Sequence, residues 1–483
     1  MRRAASQAMD QDMDQYMGQE LDQAAGQATD QATDQAAAGL NEKYLKMTTG
    51  SVEKLVCQLA VPTITIMMVS AMYNMADTYF VGSLGTSATA AVGVTFSLMT
   101  ILQAIGFFFG NGAGNYIARA LGAQKRGDAA KMATTGFVSA FLIGCVLAAA
   151  GLLALSPLAR LLGATDTILP YAREYLFFIL LGAPFIVSSF TLNNLLRFQG
   201  NSFFGMIGMV SGAVLNIALD PLFIFVFHWG VAGAASATMI SQVVSFICLL
   251  LGSGKGGSIR ISLRDFLPRP DMYKNIAQGG MPSLLRQTLL SLATVLLNRA
   301  AGGYSDAVIA AIAIVNRIVM ISGAAMLGFG QGFQPVCGFN YGAKQYDRVK
   351  RAFRFCVMVS TVFLAVLAVI CFIFAPDIIG WFRKDDLEVI SVGAFTLRAQ
   401  CLALPLAGWI ISNNMFLQTI GKVVPASVLA LSRQGLFLIP LLFGLESAMG
   451  LTGIQICVPI ADVCTFLLAT PLGITALRQM RTG

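Results

Sequence analysis

A chain of 483 residues that is 56% hydrophobic and only 12% charged is not the sequence of a soluble protein. Its net charge of +8 lies mostly in the polar stretches between apolar runs, so it reports membrane orientation and excludes a nucleic-acid-binding surface.

From the N-terminus, residues 9–36 repeat a four-residue unit, with Gln at 11, 15, 19, 23, 27, 31 and 35. Residues 1–46 therefore read as a low-complexity, disordered cytoplasmic tail, or as a weak helix with a Gln stripe. The tail has no apolar centre and is no signal peptide. Folded chain is expected from near Met47.

Apolar runs follow at about 55–79, 88–110, 132–154, 173–193, 203–227 and 231–252, then at 277–300, 307–330, 352–375, 394–418, 424–444 and 450–475. Each is long enough to cross a bilayer, and spans of this length must be helical because lipid offers no partner to backbone groups. The predicted fold is an all-α membrane protein of twelve transmembrane helices in two six-helix lobes, 47–252 and 277–483. A cytoplasmic connector at 253–276 joins them. Its Gly252-to-Ser258 stretch mimics a phosphate-binding loop, but position 249 is Leu and Lys255 precedes Gly256, so it reads as a flexible linker. No nucleotide partner is expected, and transport would have to draw on an ion gradient.

Lys and Arg gather before span 1, between spans 2 and 3, in the connector, after span 8 and after span 12, while residues 80–87 and 445–449 carry none. Both termini are thereby assigned to the cytoplasm. The loop at 376–393, with Asp377, Arg383, Lys384, Asp385, Asp386 and Glu388, is a mixed outer exception. No outer-loop cysteine pair suggests a disulfide framework.

The two halves repeat. Pro62, Gly82, Gly110-x-Gly112 and Gly122-Ala123 recur as Pro282, Gly302, Gly330-x-Gly332 and Gly342-Ala343, each 220 residues on (282 − 62, 302 − 82, 330 − 110, 342 − 122). Gly82 and Gly110-x-Gly112 read as the ends of apolar runs. Duplicated halves in so apolar a chain mark a transporter with its path between the halves. Six spans per half put both copies in one orientation, related by an axis along the membrane normal.

Charges inside a bilayer each ask for a reason, because insertion costs ~2.5–3.5 kcal/mol. The intramembrane carboxylates Asp77 and Asp220 are expected only in the first copy, since the offset sets them against Leu297 and Pro440. At ~1.5 Å per residue both lie towards the outer side, about 30 Å and about 25 Å from the start of their spans. Asn216 stands one helical turn below Asp220, and Thr238 and Tyr175 reach similar depth. Such a group suits a proton or Na⁺ equally, with Asp77, Asn216, Asp220 and Thr238 as the possible Na⁺ ligands. The alternative readings are a helix end in the headgroup region for Asp77 and a cap before Pro221 for Asp220. The second-lobe charges are basic: Arg286, Arg317, Arg433 and Arg398. Arg433 and Arg317 either line the cavity or pair with helix-end carbonyls. His228 reads as an inert interface residue. Met67, Met68, Met72, Met75, Met206 and Met209 are either an adaptable cavity wall or ordinary core.

The strings Tyr73-Asn74-Met75-Ala76-Asp77-Thr78 with Val81-Gly82, Asn216-Ile-Ala-Leu-Asp220-Pro221, and Gly230-x-x-Gly233-Ala234-Ala235 resemble the multidrug and toxic compound extrusion (MATE) family across about residues 50–478. The acids resemble its DinF-like branch, not the NorM-like branch with acids in the second lobe. The resemblance implies a multi-pass protein of the bacterial plasma membrane, not an enzyme and expected as a monomer. It would use no cofactor and export amphipathic, often cationic, compounds against inward H⁺ or Na⁺. It implies a first-lobe cation network of Asp77, Asn216, Asp220 and Thr238 with Tyr175 nearby, a polar cavity position at Asn193, and a hinge at Pro62. The alternatives are a flippase for a lipid-linked oligosaccharide or peptidoglycan precursor, and a membrane sensor without transport.

Overall fold

A computed structural model describes residues 39, 41–255, 258–382 and 386–480. The Gln-rich repeat, and Arg383, Lys384 and Asp385 of the outer loop, lie outside the described residues. Among those described, the long elements are twelve helices. In the first lobe they are α1 (Val52–Gly82), α2 (Thr86–Gly122), α3 (Arg126–Leu153), α4 (Leu169–Phe198), α5 (Ser202–Pro221) and α6 (Gly230–Gly252). In the second they are α7 (Pro270–Ala301), α8 (Asp306–Gly342), α9 (Tyr346–Ile373), α10 (Leu387–Thr419), α11 (Val423–Leu431, resumed at Ile439–Met449) and α12 (Leu451–Gln479). Eleven are long and apolar enough to cross a membrane; α7 is the exception, diluted by Asn275, Gln278, Arg286, Gln287, Asn298 and Arg299.

Order begins and ends differently from the sequence reading at two places. A helix over residues 41–49 precedes Met47's expected start of folded chain. The connector is shorter than expected, because α7 starts at Pro270 with Asp271 in its first turn, the residue types that suit a helix start. In the mixed outer loop, Asp386 caps α10 by accepting from the Val389 amide, and Glu388 accepts from Ser305.

The sequence repeat is also a repeat of helix bounds. α2 and α8 differ by 220 at both ends (306 − 86, 342 − 122), as do α3 and α9 (346 − 126, 373 − 153). Packing repeats too: α4 lies against α2, α3 and α6, and α10 against α8, α9 and α12. α4 is the most enclosed span, with 78% of its apolar window buried against 28% for α3, so it is the hub of its lobe.

Between lobes, α1 packs on α8 and α2 on α7, the exchange expected of two copies around one axis. Here the glycines differ from their sequence reading. α2 and α8 do not end at Gly110-x-Gly112 and Gly330-x-Gly332 but run on to Gly122 and Gly342. The glycines serve close approach instead. A Cβ at Gly112 would stand 2.2 Å from the Ile276 carbonyl oxygen, one at Gly332 2.5 Å from Ala60 Cα, and one at Gly122 2.1 Å from the Phe339 oxygen. These contacts lie in the half of the helices nearest the Lys/Arg-rich end, so the lobes diverge towards the other end.

Polar bonds reinforce the same end. Thr63, next to Pro62 in the unbroken α1, donates to the Gly328 oxygen at 2.6 Å. Arg119 reaches the Thr419 oxygen at 2.6 Å, and Arg351 pairs with Glu53 at 2.5 Å. Arg197, in the last turn of α4 and 1% exposed, donates to Asn194 Oδ1 (2.7 Å), Asn111 Oδ1 (2.8 Å), the Gln331 carbonyl (2.9 Å) and Gln334 Oε1 (2.8 Å). It thus ties α4 and α2 to α8 of the other lobe.

A π-helical turn at Leu222–Val226 extends α5 beyond Pro221, and another at Ser432–Leu438 interrupts α11 before Pro440. A proline lacks the N–H that would continue the α ladder, which favours such a wider turn beside it. The two π turns are not at matching positions, since 432 − 222 is 210.

Candidate functional site

The carboxylates expected from the sequence come together inside the first lobe. Asp77, near the end of α1, is 8% exposed, and Asp220, near the end of α5, is fully buried. Their charges are near enough to act on each other. Tyr175 of α4 is fully buried and its hydroxyl donates to Asp77 Oδ2 at 3.4 Å, while Asp77 Oδ1 is buried without a partner. The chain separation of 98 residues closes because α1 and α4 both bring these positions to the same end of the lobe.

Asn216 links the second carboxylate to α6. Its Nδ2 donates to Asp220 Oδ1 at 3.3 Å and to Thr238 Oγ1 at 3.2 Å. With the amide turned over, nitrogen donates to Asp220 Oδ2 at 3.2 Å and oxygen accepts from Thr238 Oγ1 at 3.2 Å. Either orientation keeps a bond to Asp220, so the amide can follow a change in what the carboxylate and the hydroxyl offer. Two acids, an amide and two hydroxyls, all buried, thus converge from α1, α4, α5 and α6.

The group borders a cavity within the first lobe, between α1, α2, α4, α5 and α6. Asn74, Gln103 and Gln242 give it polar walls, and Phe96, Phe190 and Met209 apolar ones. Asn216 and Thr238 line this cavity while also belonging to the carboxylate group. Asn216 is therefore one side chain that both bonds Asp220 and faces the cavity.

Other sequence-selected residues are placed elsewhere. Asn193 is buried about 27 Å along α4 from Tyr175, where its Nδ2 would lie 3.0 Å from a Cβ at Gly205 of α5; it packs against α5 and does not touch the carboxylates. Pro62 sits in the cross-lobe seam, at the opposite end of α1 from Asp77. Met209 lines the cavity, whereas Met72 and Met75 are 62% and 57% exposed. His228 is exposed in the turn after α5, with φ of 56°.

Two readings of the second lobe are corrected. Intramembrane carboxylates are not confined to the first copy: Asp462 of α12 is buried, 5% exposed. Arg433 does not pair with helix-end carbonyls among the described residues; it forms a two-point ion pair with Asp462, Nε to Oδ1 at 2.6 Å and Nη2 to Oδ2 at 3.0 Å. The offset reading overlooked Asp462 because its counterpart, position 242, is Gln, so no acid in the first copy points to it. The buried guanidinium of Arg197 was overlooked as well. Its signal was available: an Arg among near-continuous apolar residues, three positions after Asn194.

Comparison with known proteins places this geometry. The MatE family model matches residues 62–222 and again 282–444, one match per lobe. The chain is 32% identical over 451 residues to a protein of Staphylococcus saprophyticus called "Multidrug export protein MepA", covering 92% of this chain and 98% of that one. A protein of the same name from Staphylococcus haemolyticus is 28% identical over 430 residues, covering 88% and 94%. Among solved structures, one described as the "outward-facing conformation of a multidrug resistance MATE family transporter of the MOP superfamily" superposes with a TM-score of 0.85 at 26% identity, over 91% of this chain and 99% of that one. A second, of MATE "in the bent conformation", gives 0.85 at 27% identity over 92% and 98%.

Proposed function

This chain belongs to the MatE family of membrane transporters, and we propose that, as a multidrug efflux protein, it exports amphipathic organic cations by antiport against inward H⁺ or Na⁺. The single observation that carries the coupling is that Asn216 and Thr238 are shared between the buried carboxylate group and the cavity wall. A coupling ion and a cationic substrate both gain from the same negative charge, so each weakens the other's hold.

The cycle runs as a competition. With the cleft open outwards, H⁺ or Na⁺ neutralises Asp77 and Asp220, and the substrate loses its counter-charge and leaves. A proton would sit on a carboxylate oxygen, Asp77 Oδ1 being buried without a partner. Sodium would instead gather the oxygens of Asp77, Asp220, Asn216 and Thr238, a hard oxygen donor set. The lobes then part at the Lys/Arg-rich end, and the ion is released to the cytoplasm. Pro62, lying in the seam that must part, is the hinge of this reading.

The test is ethidium efflux from cells carrying wild type, Asp77→Asn or Asp220→Asn, with the pH and Na⁺ gradients collapsed separately. Loss in both variants, and on removal of one gradient only, is the expected outcome and identifies the ion. Undiminished efflux in both variants refutes the carboxylate mechanism.

A further inference from the structure

Arg286 has no place in the cation scheme. It stands on α7 three residues after Ser283 and seven after Gly279, spacings that put all three on one face of the helix. That face is turned to the other lobe: Gly279 packs on Gly112, and Ser283 Oγ accepts from Asn111 Nδ2 at 3.0 Å, as well as from Gln418 Nε2 of its own lobe at 2.8 Å. Arg286 is therefore one turn above the closed seam, on the floor of the cleft between the lobes. One turn higher, Leu290 is 45% exposed, as the stripe climbs away from the seam.

The charge of Arg286 is unanswered. Among the described residues it takes part in no ion pair and makes no hydrogen bond. Its charge instead opposes that of Arg197, which is held by neutral oxygens alone and whose Nε has no partner. The three buried carboxylates do not help: Asp462 is paired with Arg433, and Asp77 and Asp220 belong to the cluster at the outer end of the first lobe. A partly exposed guanidinium without a carboxylate partner, close to a second one, suits an anion.

We infer that Arg286 binds the carboxylate of zwitterionic amphiphiles on the cleft floor, a subsite separate from the first-lobe acids. The planar fork of a guanidinium matches a carboxylate at two points. Leu290 above it offers an apolar surface to the body of the same molecule. The inference takes its ligand class from the export reading above, but it concerns binding and is measured as binding.

The full-length protein in phosphatidylcholine nanodiscs is titrated with norfloxacin, norfloxacin ethyl ester and ethidium, followed by ligand fluorescence. Wild type is expected to hold norfloxacin about ten-fold more tightly than its ester, the discrimination of one charge-assisted contact. Arg286→Gln abolishes that preference, Arg286→Lys keeps part of it, and all three proteins bind ethidium alike, which shows them folded. Equal binding of acid and ester by wild type overturns the inference, and so does a preference that survives in Arg286→Gln. So does an equal loss of all three ligands in both variants, the mark of a structural role. Failure of wild type to export ethidium from cells would refute the export reading, while the acid-to-ester ratio still decides for or against this site.

Discussion

Gly112→Ala tests whether the glycines of the seam are what closes the Lys/Arg-rich end. The added methyl would lie 2.2 Å from the Ile276 carbonyl oxygen, 2.9 Å from its carbon and 3.0 Å from its Cα. Ordinary contact begins at 3.4 Å, so α2 and α7 must separate by 1.2 Å (3.4 − 2.2). The obstructing atoms are all backbone, so no rotamer change relieves them. Overpacking of this kind costs about 1–3 kcal/mol. The penalty falls only on the state in which the two helices touch, and a bias of about 1–3 kcal/mol shifts a two-state equilibrium about 5- to 150-fold. Ser283, at the seam and 2% exposed, reports it as Ser283→Cys. Maleimide labelling of that thiol in everted vesicles, quantified peptide by peptide by mass spectrometry, is expected to accelerate at least about five-fold when Gly112→Ala is added. Gly127→Ala is the control, because a Cβ there meets nothing within 4 Å. Unchanged labelling with Gly112→Ala, or equal acceleration with Gly127→Ala, refutes the argument.

Two more expectations concern the buried polar groups. Arg433→Ala leaves Asp462 buried and unpaired, so it should cost about 3–5 kcal/mol, whereas Arg433→Met with Asp462→Leu should be near neutral; thermal unfolding in detergent, with equal midpoints for the two proteins, would contradict this. Tyr175→Phe removes the one side-chain hydrogen bond to Asp77 among the described residues while keeping the ring, and should lower ethidium efflux about five-fold. In an Asp77→Asn background the same change should add nothing, and an additive effect would show that Tyr175 does not act through Asp77.

How far the sequence carried depended on what kind of physics each feature rests on. Hydropathy and period placed the twelve helices, because membrane spanning depends on run length, and the offset of 220 returned as paired helix bounds. Counting residues from the entry side brought Asp77, Asp220, Tyr175, Asn216 and Thr238 to one depth, since the rise of a helix is fixed. The same reasoning misread Gly110 and Gly112 as run ends. Backbone approach between α2 and its neighbours is a property of two helices at once, and the sequence of one shows only the missing side chain. Asp462 escaped because its partner Arg433 lies 29 residues away on another helix and neither has a charged counterpart in the first copy.

The guanidinium of Arg197 sets a condition on motion. Of its four oxygen partners, those of Asn194 and Asn111 travel with the first lobe, and those of Gln331 and Gln334 with the second. When the lobes part, the first two bonds persist and the other two must be replaced by water. In the proposed cycle, each turn would therefore hydrate and dehydrate this one guanidinium. Solutes that lower water activity should slow the opening of that end and hasten its closing, whatever the cargo.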